Sequence, residues 1–109
     1  MMALTPEEAS KFWPVYNEYD KELSRLGDER VALIKDYAEN YGSMSDQKVV
    51  EIGRKSLDLE SRRTAIKKKY FDRLSQTVSP KTAGRFLQIE SQLLMIIDLQ
   101  VASSLPIVD

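Results

Sequence analysis

Neither cysteine nor histidine occurs among the 109 residues. Their absence removes disulfides, thiolate nucleophiles, imidazole bases and most transition-metal ligands together. It leaves the compartment open, because a chain without cysteine is equally at ease in oxidising and reducing surroundings. Glycine and proline are scarce, with 4 of each, and no glycine-rich phosphate loop is present. No apolar run approaches the ~20 residues that span a bilayer, and no membrane span is expected. Met1-Met2-Ala3 leads straight into a helix start, without the charged and apolar leader of a signal peptide. The expectation is a cytosolic protein or a mature domain given a new start.

What is present is charge and helix signal. The chain is 42% hydrophobic and 30% charged, a balance that suits one folded domain over residues 1–109 rather than a disordered polyelectrolyte. The net charge of -1 conceals an asymmetry. Residues 1–47 hold 5 Lys/Arg against 10 Asp/Glu, and residues 48–74 hold 9 against 4. Complementary packing of the two segments explains this most simply; a basic binding face is the alternative.

Thr5-Pro6-Glu7-Glu8 has the pattern of a capped helix start, with a hydroxyl at the cap, proline at the first turn and glutamate three residues on. Ser79-Pro80 repeats it, with Thr82 in place of the glutamate. Met44-Ser45-Asp46 is a third start, with Met44 placed to staple onto Val49. Three helices are therefore expected, over about 5–41, 46–76 and 80–104. The fold class is all-α: an elongated antiparallel bundle of three main helices, expected to dimerise.

In the first helix Phe12, Tyr16, Tyr19, Leu23, Leu26, Arg30, Leu33 and Tyr37 alternate spacings of four and three, a heptad seam interrupted by one charge at Arg30. Pro14 lies inside that pattern, where it removes the bond to the Ser10 carbonyl. A kink or break near Phe12-Trp13-Pro14 is expected. Gly42 is expected to close the helix in a left-handed conformation. The second helix has a thin stripe, Ile52, Leu59 and Ile66, and should pack on one side only. In the third, Leu93-Leu94-Met95-Ile96-Ile97 is apolar on consecutive positions. That run must be covered from several sides, in the middle of the bundle or across a subunit interface. Pro106 ends it and leaves an apolar tail, Leu105 to Val108, in need of a dock.

No arrangement of residues suggests catalysis, a cofactor or a metal centre. The carboxylates of Glu18 and Glu22, one turn apart, read as a solvated helix face before they read as a cation site. Two features suit binding. Arg54, Lys55, Arg62, Arg63, Lys67, Lys68, Lys69 and Arg73 crowd one helix, with Lys55, Arg62 and Lys69 recurring every seven residues as a ridge. Such a ridge pairs with the acidic first helix, holds unfolded chains or contacts nucleic acid phosphates; the pI of 5.5 and the lack of a helix-turn-helix pattern argue against the last. The other feature is the aromatic group Phe12, Trp13, Tyr16 and Tyr19, which reads as core or as a partly open patch for protein partners. The candidate protein-binding residues are thus Lys55, Arg62, Lys69, Arg73, Trp13 and Tyr16.

Leu4-Thr5-Pro6-Glu7-Glu8 with Phe12-Trp13-Pro14, and the echo Val78-Ser79-Pro80-Lys81-Thr82, resemble degenerate forms of the paired LTxxQ motif of the Spy and CpxP-like periplasmic stress proteins. The resemblance marks Thr5, Glu8 and Ser79 as motif helix caps. It implies a curved helical dimer whose two motifs lie near each other, a cleaved signal peptide and periplasmic residence. The implied activity is ATP-independent chaperone-like binding of unfolded proteins, or envelope-stress sensing. Glu8 and Thr82 stand where the motif has glutamine, and the chain has no His or Cys for the metal binding of one zinc-associated relative. The alternative is a structural or adaptor module that docks one specific protein partner.

Overall fold

The computed structural model describes residues 2–108. Regular structure among the described residues is all helical: α1 Pro6–Asn40, a short 3-10 turn Tyr41–Ser43, α2 Asp46–Thr77 and α3 Pro80–Ser104. Each start is fixed by a side-chain oxygen that takes an otherwise orphaned amide. Thr5 Oγ1 accepts from the Glu8 amide at 3.2 Å and the Glu8 carboxylate accepts from the Thr5 amide at 3.0 Å, a reciprocal capping box. Ser45 accepts from the Lys48 amide at 3.2 Å, and Ser79 from that of Thr82 at 3.1 Å.

Two local expectations are corrected. α1 runs unbroken through Pro14, so residues 5–13 do not form a separate segment. One lost hydrogen bond is a small defect when Phe12 and Val15, on either side of the proline, are both buried. Gly42 does not adopt a left-handed conformation. The 3-10 turn carries the chain out of α1 instead, and Met44, in extended backbone, delivers it to the Ser45 cap.

α1 and α2 meet through pairs that run in opposite sequence directions: Asp36 with Lys48, Glu29 with Arg62, Glu22 with Lys69 and Glu18 with Arg73. α2 lies close to both other helices, whereas α3 reaches α1 through long side chains. The molecule measures 55 × 21 × 17 Å, with a radius of gyration of 17.1 Å where a compact domain of this length has about 13 Å. It is a rod.

The core sits at one end of the rod. Phe12, Val15, Tyr19, Tyr70, Leu74, Ala83 and Phe86 form one buried cluster where α1 starts, α2 ends and α3 starts. Towards the other end Leu33, Ile52 and Leu59 are only half-buried, as the thin stripe of α2 suggests. The expectation for α3 needs correction within one chain. Leu94 is buried, but Leu93, Met95, Ile96, Ile97 and Leu99 are 47 to 70% exposed. The buried positions of α3 are Thr82, Ala83, Phe86, Glu90 and Leu94, and beyond Leu94 the inward contact is the Asp98 carboxylate. The tail is held through its backbone: the hydroxyls of Tyr37 in α1 and Tyr41 just beyond it donate to the carbonyls of Pro106 and Ile107, while the Ile107 and Val108 side chains stay exposed.

Candidate protein-interaction surfaces

The two copies of the opening motif come together in space. The Glu8 carboxylate is held below the usual carboxylate range first by the Thr5 amide, and also by Arg85 and the Thr82 hydroxyl of the second copy. Thr82 is buried, and the Ser79 hydroxyl donates to its oxygen at 3.0 Å. The Ser79 amide, which a glutamate would take in a full capping box, donates instead to the Leu74 carbonyl at 3.1 Å. Arg85 also donates to the Met2 carbonyl at 3.3 Å. Thr5, Glu8 and Ser79 therefore have a structural job at the junction of two helix starts.

The aromatic group stands on top of that junction and divides. Phe12 and Tyr19 are fully buried, Tyr16 is half-buried, and Trp13 is 48% exposed. The Trp13 ring meets Phe12 edge-on at 4.9 Å and Tyr16 at 5.6 Å. Tyr19 packs edge-on against Phe86 at 4.9 Å and Tyr70 at 5.5 Å. Such edge-to-face contacts hold rings in place beyond simple area burial, so Trp13 is an open ring on a rigid base.

Under the rings lies a buried carboxylate that the sequence did not mark. Glu90 accepts from Tyr16 at 3.1 Å and Tyr19 at 3.0 Å, one hydroxyl on each oxygen. Burial, followed by the charge of Glu90, pushes the Tyr16 phenol up to about 12 and Tyr19 higher still. Both tyrosines therefore stay protonated donors across the physiological range. The signal that could have found Glu90 is its spacing of four from Phe86 and from Leu94, which sets it on the buried face of α3 between them.

The basic ridge is used inside the molecule. Arg62 grips Glu29 with two hydrogen bonds of 2.8 and 2.6 Å and reaches Asp58 at 3.4 Å. Lys69 donates to Glu22 at 2.8 Å, and Arg73 to Glu18. Lys55 pairs with Glu51 of its own helix at 3.4 Å. Lys69 and Arg73 also lie 5.2 Å from the Tyr70 ring centre. Hydrogen bonds from Lys69 and Arg62 hold the Glu22 and Glu29 carboxyls below their usual range. The structure thus separates the sequence candidates: Trp13 and Tyr16 share one surface, while Arg62, Lys69 and Arg73 form the α1–α2 seam.

A second ionic cluster pins all three helices. Asp98 of α3 accepts from Arg30 of α1 at 2.8 Å and from Arg63 of α2 at 2.9 and 2.7 Å. Arg63, with Arg30 beside it, holds the Asp98 carboxyl down to about 2. The charge at Arg30 that interrupts the heptad seam is thereby explained.

Two open grooves of about 280 and 370 Å³ follow the α1–α2 seam, one near Leu33 and Leu59, the other near Leu26 and Ile66. Among the described residues no group of three or more acidic side chains is placed to hold a metal, and no helix is long and apolar enough to cross a membrane. The chain matches no protein-family model, no curated protein and no solved structure.

Proposed function

We propose that this chain is a non-enzymatic, protein-binding rod of the kind its motif resemblance implies, an ATP-independent holder of unfolded or partly folded proteins. The observation that carries the reading is the apolar surface left in water. Trp13, Val31, Val50 and Leu57 on α1 and α2 are 48 to 66% exposed, in addition to the run on α3. A run of consecutive exposed aliphatic residues such as Met95, Ile96 and Ile97 on α3 is the kind of surface that other proteins cover. On this reading the helices form an antiparallel bundle, the working unit is a homodimer, and the compartment is the periplasm.

The pairing of the ridge changes how binding would occur. With Arg62, Lys69 and Arg73 engaged by carboxylates, attraction of clients falls to the rings and aliphatic groups. The same pairing weighs against nucleic acid, which needs free cations for its phosphates. Reversing Arg62 or Lys69 would break the α1–α2 seam itself, so Trp13 is the better probe. Dilution of a chemically unfolded client should give less light scattering when this protein is present at near-stoichiometric amounts, and Trp13→Ala should weaken the protection severalfold. No suppression with several unrelated clients would overturn the holder reading and favour an adaptor for one dedicated partner.

A further inference from the structure

α3 changes character along its length. Its first half buries Thr82, Ala83, Phe86 and Glu90 against the other helices, while in its second half Leu94 and Asp98 turn inward and most other aliphatic side chains face solvent. Gln92, Ile96, Leu99 and Ser103 follow spacings of four, three and four, so they form one straight seam. That seam lies opposite Glu90 and Asp98. Ile96 and Leu99 at its centre are 56 and 70% exposed, and Leu93 and Met95 flank it at 47 and 67%.

We infer that this outer seam of α3 is where a second copy of the chain docks, with the two α3 helices antiparallel about a two-fold axis between Ile96 and Leu99. Three observations single out a second copy as the occupant. First, the seam is self-complementary: the two-fold lays Ile96 on Leu99 of the second copy, and Gln92 on Ser103, apolar on apolar and polar on polar. Second, the face is neutral. From Ser91 to Val108 the one charged residue is Asp98, and it is turned inward onto Arg30 and Arg63. Self-association therefore meets no like-charge repulsion, and the face has no cation with which to attract an anionic membrane or an acidic segment. Third, the area fits. The chain exposes 7606 Å² where a monomer of this mass exposes about 6,200 Å². The excess is larger than the roughly 800 Å² that each partner buries in a standard interface.

The inference deepens the dimer reading but does not depend on client binding. A dimer that ignores unfolded proteins would remove the holder function and leave this interface intact.

The test is sedimentation equilibrium of the full chain from about 1 to about 100 µM, a range over which an interface of standard size registers as dimer, with Ile96→Glu, Leu99→Lys and, as a control on another exposed aliphatic, Leu57→Glu. The expected result is a dimer for the unaltered chain and for Leu57→Glu, and monomers for the two α3 variants, all with unchanged helical circular dichroism. Mixing Ile96→Glu with Leu99→Lys should restore a 1:1 heterodimer, because the carboxylate introduced on one copy then faces the ammonium introduced on the other. Should either charged variant lose its helical signal, Ile96→Ala and Leu99→Ala replace them, each raising the dimer Kd at least tenfold. A monomeric unaltered chain, including one that instead pellets with phospholipid vesicles, would overturn the proposal. So would a dimer that survives the α3 variants, or a mixture of folded variants that stays monomeric.

Discussion

The residues that organise this molecule are mostly its polar ones. Glu90, Asp98 and the caps each satisfy several groups at once, and each yields a measurable consequence. Thr5→Ala removes one half of the capping box and should cost about 1 kcal/mol by denaturant titration. Glu90→Leu removes the acceptor of two tyrosine hydroxyls, and since a buried group left unpaired costs about 1–3 kcal/mol, the loss should exceed that at Thr5. Absorbance titration of the variant should also show Tyr16 ionising below its value of about 12, because one cause of the upward shift has gone. Asp98 has the opposite sign. Its folded pKa of about 2 lies below the ordinary 3.8, so its contribution is present above pH ~4 and is lost as pH falls from about 4 to 2. In Asp98→Asn the fall in stability across that window should be shallower than in the parent chain. An unchanged acid limb would remove Asp98 from the account.

At the scale of elements, the α1–α2 seam is written in charge and the core end in aromatic packing. The arginine and carboxylate of Arg62–Glu29 are both about half-exposed, so solvent screens the pair and it adds little stability; its value is in register. Arg62→Glu should lower Tm by a few degrees, and Arg62→Glu with Glu29→Arg should recover most of the loss in low salt. Failure of the swap to rescue would mean that these positions do not face each other. Leu74, fully buried at the core end, should cost about 2–5 kcal/mol when cut to alanine.

The same elements show what the sequence could convey. The starts of all three helices were legible because a cap is a local device, complete within four residues. The pairing of the acidic and basic segments was legible from charge alone. The break at Pro14 and the left-handed Gly42 were not, because burial of Phe12 and Val15 outweighs one missing bond and a 3-10 turn can end a helix equally well. The placement of α3 was hidden for a deeper reason. Periodicity assumes that inward positions are apolar, whereas Glu90 and Asp98 share the inward face here with Phe86 and Leu94, each carboxylate held by partners some 35 to 74 residues away in sequence. Of the site candidates, the aromatic group could be read as core or as a partly open patch, and only packing divides it into buried Phe12 and Tyr19 and open Trp13; the engagement of the ridge cations likewise depended on where α1 carboxylates came to lie.

The whole molecule is a rod with a firm end and a loose one. Hydrogen exchange should reflect this, with the slowest amides around Tyr19, Tyr70, Leu74 and Phe86 and faster exchange near Leu33, Ile52 and Leu59. Uniform protection along the rod would contradict the core placement. The firm end carries Trp13, the single tryptophan of the chain, on a base of locked rings. That geometry suits a contact surface: a large apolar side chain already ordered, so little conformational entropy is lost when a partner covers it.

Trp13 is therefore also the reporter for the central claim, that this rod binds other proteins through its exposed apolar groups. The most direct measurement is its fluorescence during titration with an unfolded client that has no tryptophan of its own. A blue shift that saturates near one client per protomer or per dimer is the predicted result. An emission spectrum that stays fixed with every one of several unfolded clients would contradict the account.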